Sequence, residues 1–150
     1  MSELTHIDAE GEARMVDVSA KSEQDREAMA RGEIRLAAAT LDAIESGDTA
    51  KGNVLATARL AGIMAAKKTA ELIPLCHPLP ISHAEVDFEI PSSRDRIVIT
   101  ASARISAKTG VEMEALTAVS TAALTIYDMC KAIDKQMVIS EISVTSKTKR

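Results

Sequence analysis

From His83 to Ile90 the chain alternates strictly, with Ala84, Val86, Phe88 and Ile90 apolar and His83, Glu85, Asp87 and Glu89 polar, the period of a half-buried strand. The turn residues Pro91-Ser92-Ser93-Arg94-Asp95 follow, and Ile97, Ile99, Ala101 and Ala103 alternate behind them, so the two runs predict an antiparallel hairpin. Glu33-Ile34-Arg35-Leu36 predicts an earlier strand, and Val138, Ser140, Ile142 and Val144 predict a closing one. Helical spacing governs the segments between. Thr40, Leu41 and Ile44 predict a helix from Ala37 to Ser46, stopped by Gly47. Lys51 to Leu72 carries Val54, Leu55, Ala58, Ala61, Gly62 and Ala65 along one side, a stripe of small residues that permits close helix packing, and Pro74 ends it. Glu112 to Ile133 contains neither Gly nor Pro and predicts a third, longer helix. The order β, α(α), β, β, α, β is the split βαβ arrangement called ferredoxin-like, an α+β fold with an antiparallel sheet and helices packed on one face. With no repeat and no long Gly/Ser-rich linker, residues 1–150 read as one domain in which 1–25 form a loosely ordered N-terminal segment.

Composition narrows the function. Lys+Arg 18 against Asp+Glu 22 leaves a net charge of −4, and one Tyr, one Phe and no Trp leave nothing on which bases could stack, which argues against nucleic acid. A core without rings must be built from Ala, Val, Ile, Leu and Met, and burial between subunits would add to it. Met1-Ser2-Glu3-Leu4-Thr5-His6 shows no basic region followed by an apolar stretch, and no run reaches the ~18 apolar residues of a membrane span, so no membrane is implicated and a cytoplasmic protein is expected. Cys76 and Cys130 lie in unrelated contexts and read as reduced thiols.

Glu114 and Asp128 share a face of the last predicted helix with Thr121 and Thr125, yet fourteen residues at 1.5 Å rise separate them by about 21 Å. One chain cannot turn them into a single dyad. Either Glu114 is a first-turn carboxylate favoured by the helix dipole, or the two ends meet complementary ends of another subunit. Asp128 and Lys131, three apart, are a surface ion pair or a proton-transfer pair. In Pro74-Leu75-Cys76-His77-Pro78 two prolines stiffen a short connection and aim His77, which suits recognition; a Cys-His pair without a second pair at ligand spacing is a weak metal signal. His6 and His83 read as exposed and without a catalytic role. Lys51, at the start of its predicted helix, suits a phosphate bound with the helix amides or is a solvent lysine. Lys67-Lys68 and Lys147-Thr148-Lys149-Arg150 are further cations that either grip an anion or are simply solvated.

Longer motifs resolve part of this. Lys51-Gly52-Asn53-Val54-Leu55-Ala56-Thr57-Ala58-Arg59, Leu72-Ile73-Pro74-Leu75-Cys76-His77-Pro78-Leu79, Lys108 to Ala118 and Ala123 to Ala132 resemble the MoaC family of cyclic pyranopterin monophosphate synthases. Thr5-His6-Ile7, Met15-Val16-Asp17-Val18-Ser19 and Arg26 to Gly32 extend the resemblance over nearly the whole chain.

The resemblance implies a ferredoxin-like subunit in a homohexamer, a trimer of dimers, with the active site at the dimer interface. It implies a lyase of molybdenum cofactor biosynthesis. Its substrate is a cyclised dihydro-GTP made by a radical S-adenosylmethionine enzyme; the purine is rebuilt as a pyranopterin, a cyclic phosphate closes and diphosphate leaves. No redox cofactor is implied, and whether Mg²⁺ accompanies the triphosphate is left open. By motif, Asp128 and Lys131 would be acid/base groups and Lys51 would act on phosphate or in proton transfer; Leu75, Cys76, His77, Met113 and Glu114 would contact substrate. Glu112 and Arg26 would complete the site, and Lys147 would reach a phosphate. Past Lys147 the family often reads Gly-Gly-Lys-Ser-Gly where this chain has Thr148-Lys149-Arg150, and Asn53 stands where many members carry Asp. A regulatory module that binds an anion without turning it over, or a scaffold for other enzymes, would share the fold but would need no carboxylate–lysine pair.

Overall fold

The computed structural model describes residues 5–150; Met1 to Leu4, part of the stretch read for a leader and for the N-terminal segment, lie outside the described residues. The first strand, β1 (Gln24–Arg35), is far longer than the Glu33–Leu36 run predicts and begins inside the segment expected to be loose. Its inward positions Ala28, Ala30 and Gly32 are buried, but residues this small carry little hydrophobic signal. Helix α1 (Ala38–Ser46) ends at Gly47, whose φ of 78° is the left-handed C-terminal conformation that glycine adopts without strain.

The single helix expected from Lys51 to Leu72 is two: α2 (Val54–Lys67) and α3 (Thr69–Leu72), separated at Lys68. Asn53 caps α2, its side-chain oxygen accepting the Ala56 N–H at 3.0 Å, so the helix starts three residues beyond Lys51. Strands β2 (His83–Glu89) and β3 (Arg96–Ala107) form the expected hairpin. Helix α4 (Glu112–Cys130) stops before the predicted Ile133, because the Ile133 and Asp134 N–H groups both turn back to the Cys130 carbonyl. The buried Asp134 carboxylate then accepts from Ala37 N–H, Thr40 Oγ1 and Gln136 N–H, tying this turn to α1 before β4 (Val138–Lys149).

The sheet order is β2-β3-β1-β4, antiparallel throughout, and α2 and α4 cover one face: the ferredoxin-like arrangement that the element order predicts. Ile34, Ile97, Ile99, Val86, Val119 and Ile126 are fully buried between the layers. No helix among the described residues is long and apolar enough to cross a membrane.

Two glycines set how closely the layers approach. A Cβ at Gly32 would lie 2.7 Å from Val119 Cγ1, where α4 rests on the sheet, and a Cβ at Gly62 would lie 2.9 Å from the Ala118 carbonyl oxygen, where α2 meets α4. The second obstacle is backbone and cannot rotate aside. Gly62→Ala therefore destabilises the protein by about 1–3 kcal/mol of overpacking, offset by up to ~1 kcal/mol of helix propensity, and lowers Tm by ~2–4 °C per net kcal/mol in a calorimetric scan.

Candidate active site

The last turn of α4 and the turn before α2 come together. Lys51 Nζ donates to Asp128 Oδ2 at 2.8 Å and Lys131 Nζ lies 3.1 Å from Asp128 Oδ1, so one carboxylate is shared by two ammonium groups. All three side chains are about half exposed. Lys51 is presented by a tight turn in which Gly52 takes a φ of 96° and Thr49 Oγ1 donates to the Gly52 carbonyl. Contrary to the sequence expectation, Lys51 does not head its helix; Asn53 occupies the cap, and the lysine faces a carboxylate 77 positions further along the chain. The Lys51 hydrogen bond above all, then that of Lys131, holds Asp128 below the usual carboxylate range, so the group rests as an anion.

At the other end of α4 the Pro74–Pro78 connection places Leu75, Cys76 and His77 around a cavity of about 360 Å³, with Glu112 and Met113 from the first turn of the helix. His77 Nε2 is 2.6 Å from the Val16 carbonyl. Thr5, His6, Val16, Val18 and Lys21 stand in the same wall, so the N-terminal segment is part of the cavity. The residue pattern missed this; the Thr5-His6-Ile7 and Met15-Val16-Asp17-Val18-Ser19 motifs were the available signal. His6 is exposed, as expected, but lines the cavity.

Lys147 Nζ stands 3.9 Å from Glu112 Oε1, while Glu112 Oε2 is buried without a partner, packed so tightly against Gly110 that any Cβ there would collide with it. Glu114 is 2% exposed, its Oε1 also has no partner, and Cys76 Sγ lies 4.0 Å from its Oε2. Burial above all, and the charge of Glu112 besides, pushes the Glu114 carboxyl above the ordinary range; burial followed by Glu114 and Glu112 does the same to the Cys76 thiol. Arg26 is spent locally: Nε donates to the Ala107 carbonyl at 3.1 Å and Nη2 to that of Lys108 at 3.3 Å, bracing the end of β3. The structure gathers the residues named from sequence into two clusters, Lys51–Asp128–Lys131 and Leu75–Cys76–His77–Glu112–Met113–Glu114–Lys147, and holds them at opposite ends of α4. No group of three or more His, Cys, Asp or Glu among the described residues is arranged to hold a metal ion.

The model of a family described as the MoaC family matches residues 15–150 of this chain. The chain is 62% identical over 146 residues to a protein of Desulfitobacterium hafniense, covering 97% of this chain and 89% of that one. It is 58% identical over 148 residues to one from Roseiflexus sp. (strain RS-1), covering 99% and 94%, and 60% identical over 147 residues to one from Novosphingobium aromaticivorans, covering 98% and 92%. All three relatives are named cyclic pyranopterin monophosphate synthase.

The Glu114 environment has a consequence for stability. Its folded value lies above the 4.5 of an ordinary glutamate, so its contribution is intact below that pH and is lost as pH rises through the raised value, where the unfolded chain ionises more easily. Glu114→Gln removes this penalty: at pH 8 it melts above wild type by on the order of 1 kcal/mol, ~2–4 °C, and the difference closes below about pH 4.5 in parallel melting curves.

Proposed function

This chain belongs to the MoaC family, and on that premise we propose that it acts as a cyclic pyranopterin monophosphate synthase in molybdenum cofactor biosynthesis. The observation that carries the reading is Asp128 held between Lys51 and Lys131, a proton acceptor in contact with two cations. The reaction assigned to it opens the purine of a cyclised dihydro-GTP, rebuilds it as a pyranopterin, closes a cyclic phosphate and releases diphosphate. Asp128, held anionic, accepts a proton; Lys131 returns one; Lys51 meets the negative charge that develops on phosphate. Neither lysine needs to move far, since each already contacts the carboxylate it serves. The aperture walled by Leu75, Cys76, His77 and Met113 receives the base, and Lys147 beside Glu112 offers a further cation for the phosphates.

The complete site, on this reading, is shared between subunits. Glu114 and Asp128 stand about 21 Å apart along α4, so a second copy running the opposite way beside this helix brings its Asp128 end to the Glu114 end of the first. A homohexamer built from such dimers is the assembly we assign. The cytoplasm is the compartment, and both cysteines being unpaired fits its reducing conditions. The substrate arrives from a radical S-adenosylmethionine enzyme.

Purified protein given cyclised dihydro-GTP is expected to release diphosphate and form cyclic pyranopterin monophosphate without the radical enzyme, and Asp128→Asn to be slower by about 10²–10⁴-fold. Tight binding with neither product would instead favour an anion-binding module. Subunit mixing tests the shared site. His77→Ala mixed with Asp128→Asn restores part of the activity, because one site in each mixed dimer is intact; Lys51→Ala mixed with Asp128→Asn restores none, because both residues belong to the same half.

A further inference from the structure

Glu114 stands between two cavities. The one already described contains Cys76 in its wall but not Glu114. A second cleft of about 340 Å³ is bordered by Lys67, Lys68, Thr69, Glu71 and Glu114, and Leu79 touches both. Cys76 in the wall of the first and Glu114 in the wall of the second, with Sγ and Oε2 4.0 Å apart, therefore link the two cavities.

The charged and titratable groups around Glu114 are Glu112 on its own helix, with Lys147 of β4 beyond it, Cys76 in the connecting loop, and Lys67, Lys68 and Glu71 around the second cleft. None of the described cations is hydrogen-bonded or ion-paired to Glu114. A carboxyl 2% exposed, with one oxygen partnerless and no cation against it, is stable with its proton on. The neighbouring thiol also keeps its proton, since burial raises it.

We propose that Cys76 and Glu114 form a proton relay between the two cavities, which supplies a proton to the reacting substrate from a route separate from its own entrance. The Cys76 S–H bond breaks as its proton passes to the substrate; the Glu114 O–H proton passes to the Cys76 sulfur; water in the Lys67–Lys68 cleft returns a proton to the carboxylate. One proton crosses per cycle and no electrons change hands. The proposal rests on the synthase reading given above and assigns its proton supply.

The experiment is the pH dependence of kcat and KM for diphosphate release by wild type, Glu114→Gln, Cys76→Ala, Cys76→Ser and Ala70→Leu, the last of which narrows the second cleft. Wild type is expected to lose activity as pH rises through the Glu114 value, because the relay starts from the protonated acid. Glu114→Gln and Cys76→Ala lose about 10²-fold in kcat with KM within threefold, and Glu114→Gln loses that alkaline limb. Cys76→Ser, which can still pass a proton, keeps kcat within tenfold, and the Glu114→Gln/Cys76→Ala double variant is no slower than either single one. Ala70→Leu lowers kcat severalfold. A Glu114→Gln enzyme with wild-type kcat and pH profile, or one altered in KM alone, overturns the relay; Ala70→Leu with wild-type kcat overturns the second cleft as the proton's route. Wild type forming no product overturns the synthase reading instead, a result that the Glu114→Gln melting difference does not depend on.

Discussion

The contact between Gly62 of α2 and the Ala118 carbonyl of α4 decides where the chemistry stands. Because position 62 has no side chain and Ala58, Ala65, Ala118 and Ala122 are small and buried, the two helices approach to backbone contact. That approach brings the turn ahead of α2 alongside the last turn of α4, which is why an ammonium from Lys51 reaches a carboxylate on Asp128. A larger residue at the crossing would swing the two ends apart and leave each charge in solvent, where an isolated exposed pair contributes little.

Helix α4 then acts as a spacer with different physics at its ends. At the C-terminal end an exposed carboxylate is held anionic by two cations. At the N-terminal end the helix dipole favours anions by roughly 0.3–1 kcal/mol, yet Glu114 is displaced the other way, because desolvation of a nearly inaccessible carboxyl outweighs a dipole that also meets Glu112 nearby. One helix thus carries a carboxyl held below the ordinary range at one end and one pushed above it at the other. Neither property follows from residue type, since both groups are carboxyls.

Around the buried Glu114 the chain is drawn in from distant segments. The Pro74–Pro78 connection, the Lys147 strand and the N-terminal segment all converge on the first turn of α4, with His77 bound to the Val16 carbonyl and Lys108 Nζ to that of Ser19. Arg26 grips two backbone carbonyls and so fixes the start of the Lys108–Gly110 turn that aims Glu112.

The sequence by itself determined the architecture, because alternation in β2 and β3, the small-residue stripe of α2 and the uninterrupted α4 are local patterns with local causes. It also named candidate site residues through their motifs, and the 1.5 Å rise per helical residue alone separated Glu114 from Asp128. Its errors fell where the pattern is silent: Ala28, Ala30 and Gly32 hid most of β1, and the Asn53 cap and the Lys68 break divided a helix that periodicity ran together. Only the tertiary structure decided that Lys51 pairs with Asp128, that Glu114 sits behind Cys76 against a second cleft, and that the N-terminal segment closes the cavity wall. Those are long-range juxtapositions set by how closely helices and sheet pack, and the degree of burial that shifts a carboxyl's proton affinity exists only after packing is complete.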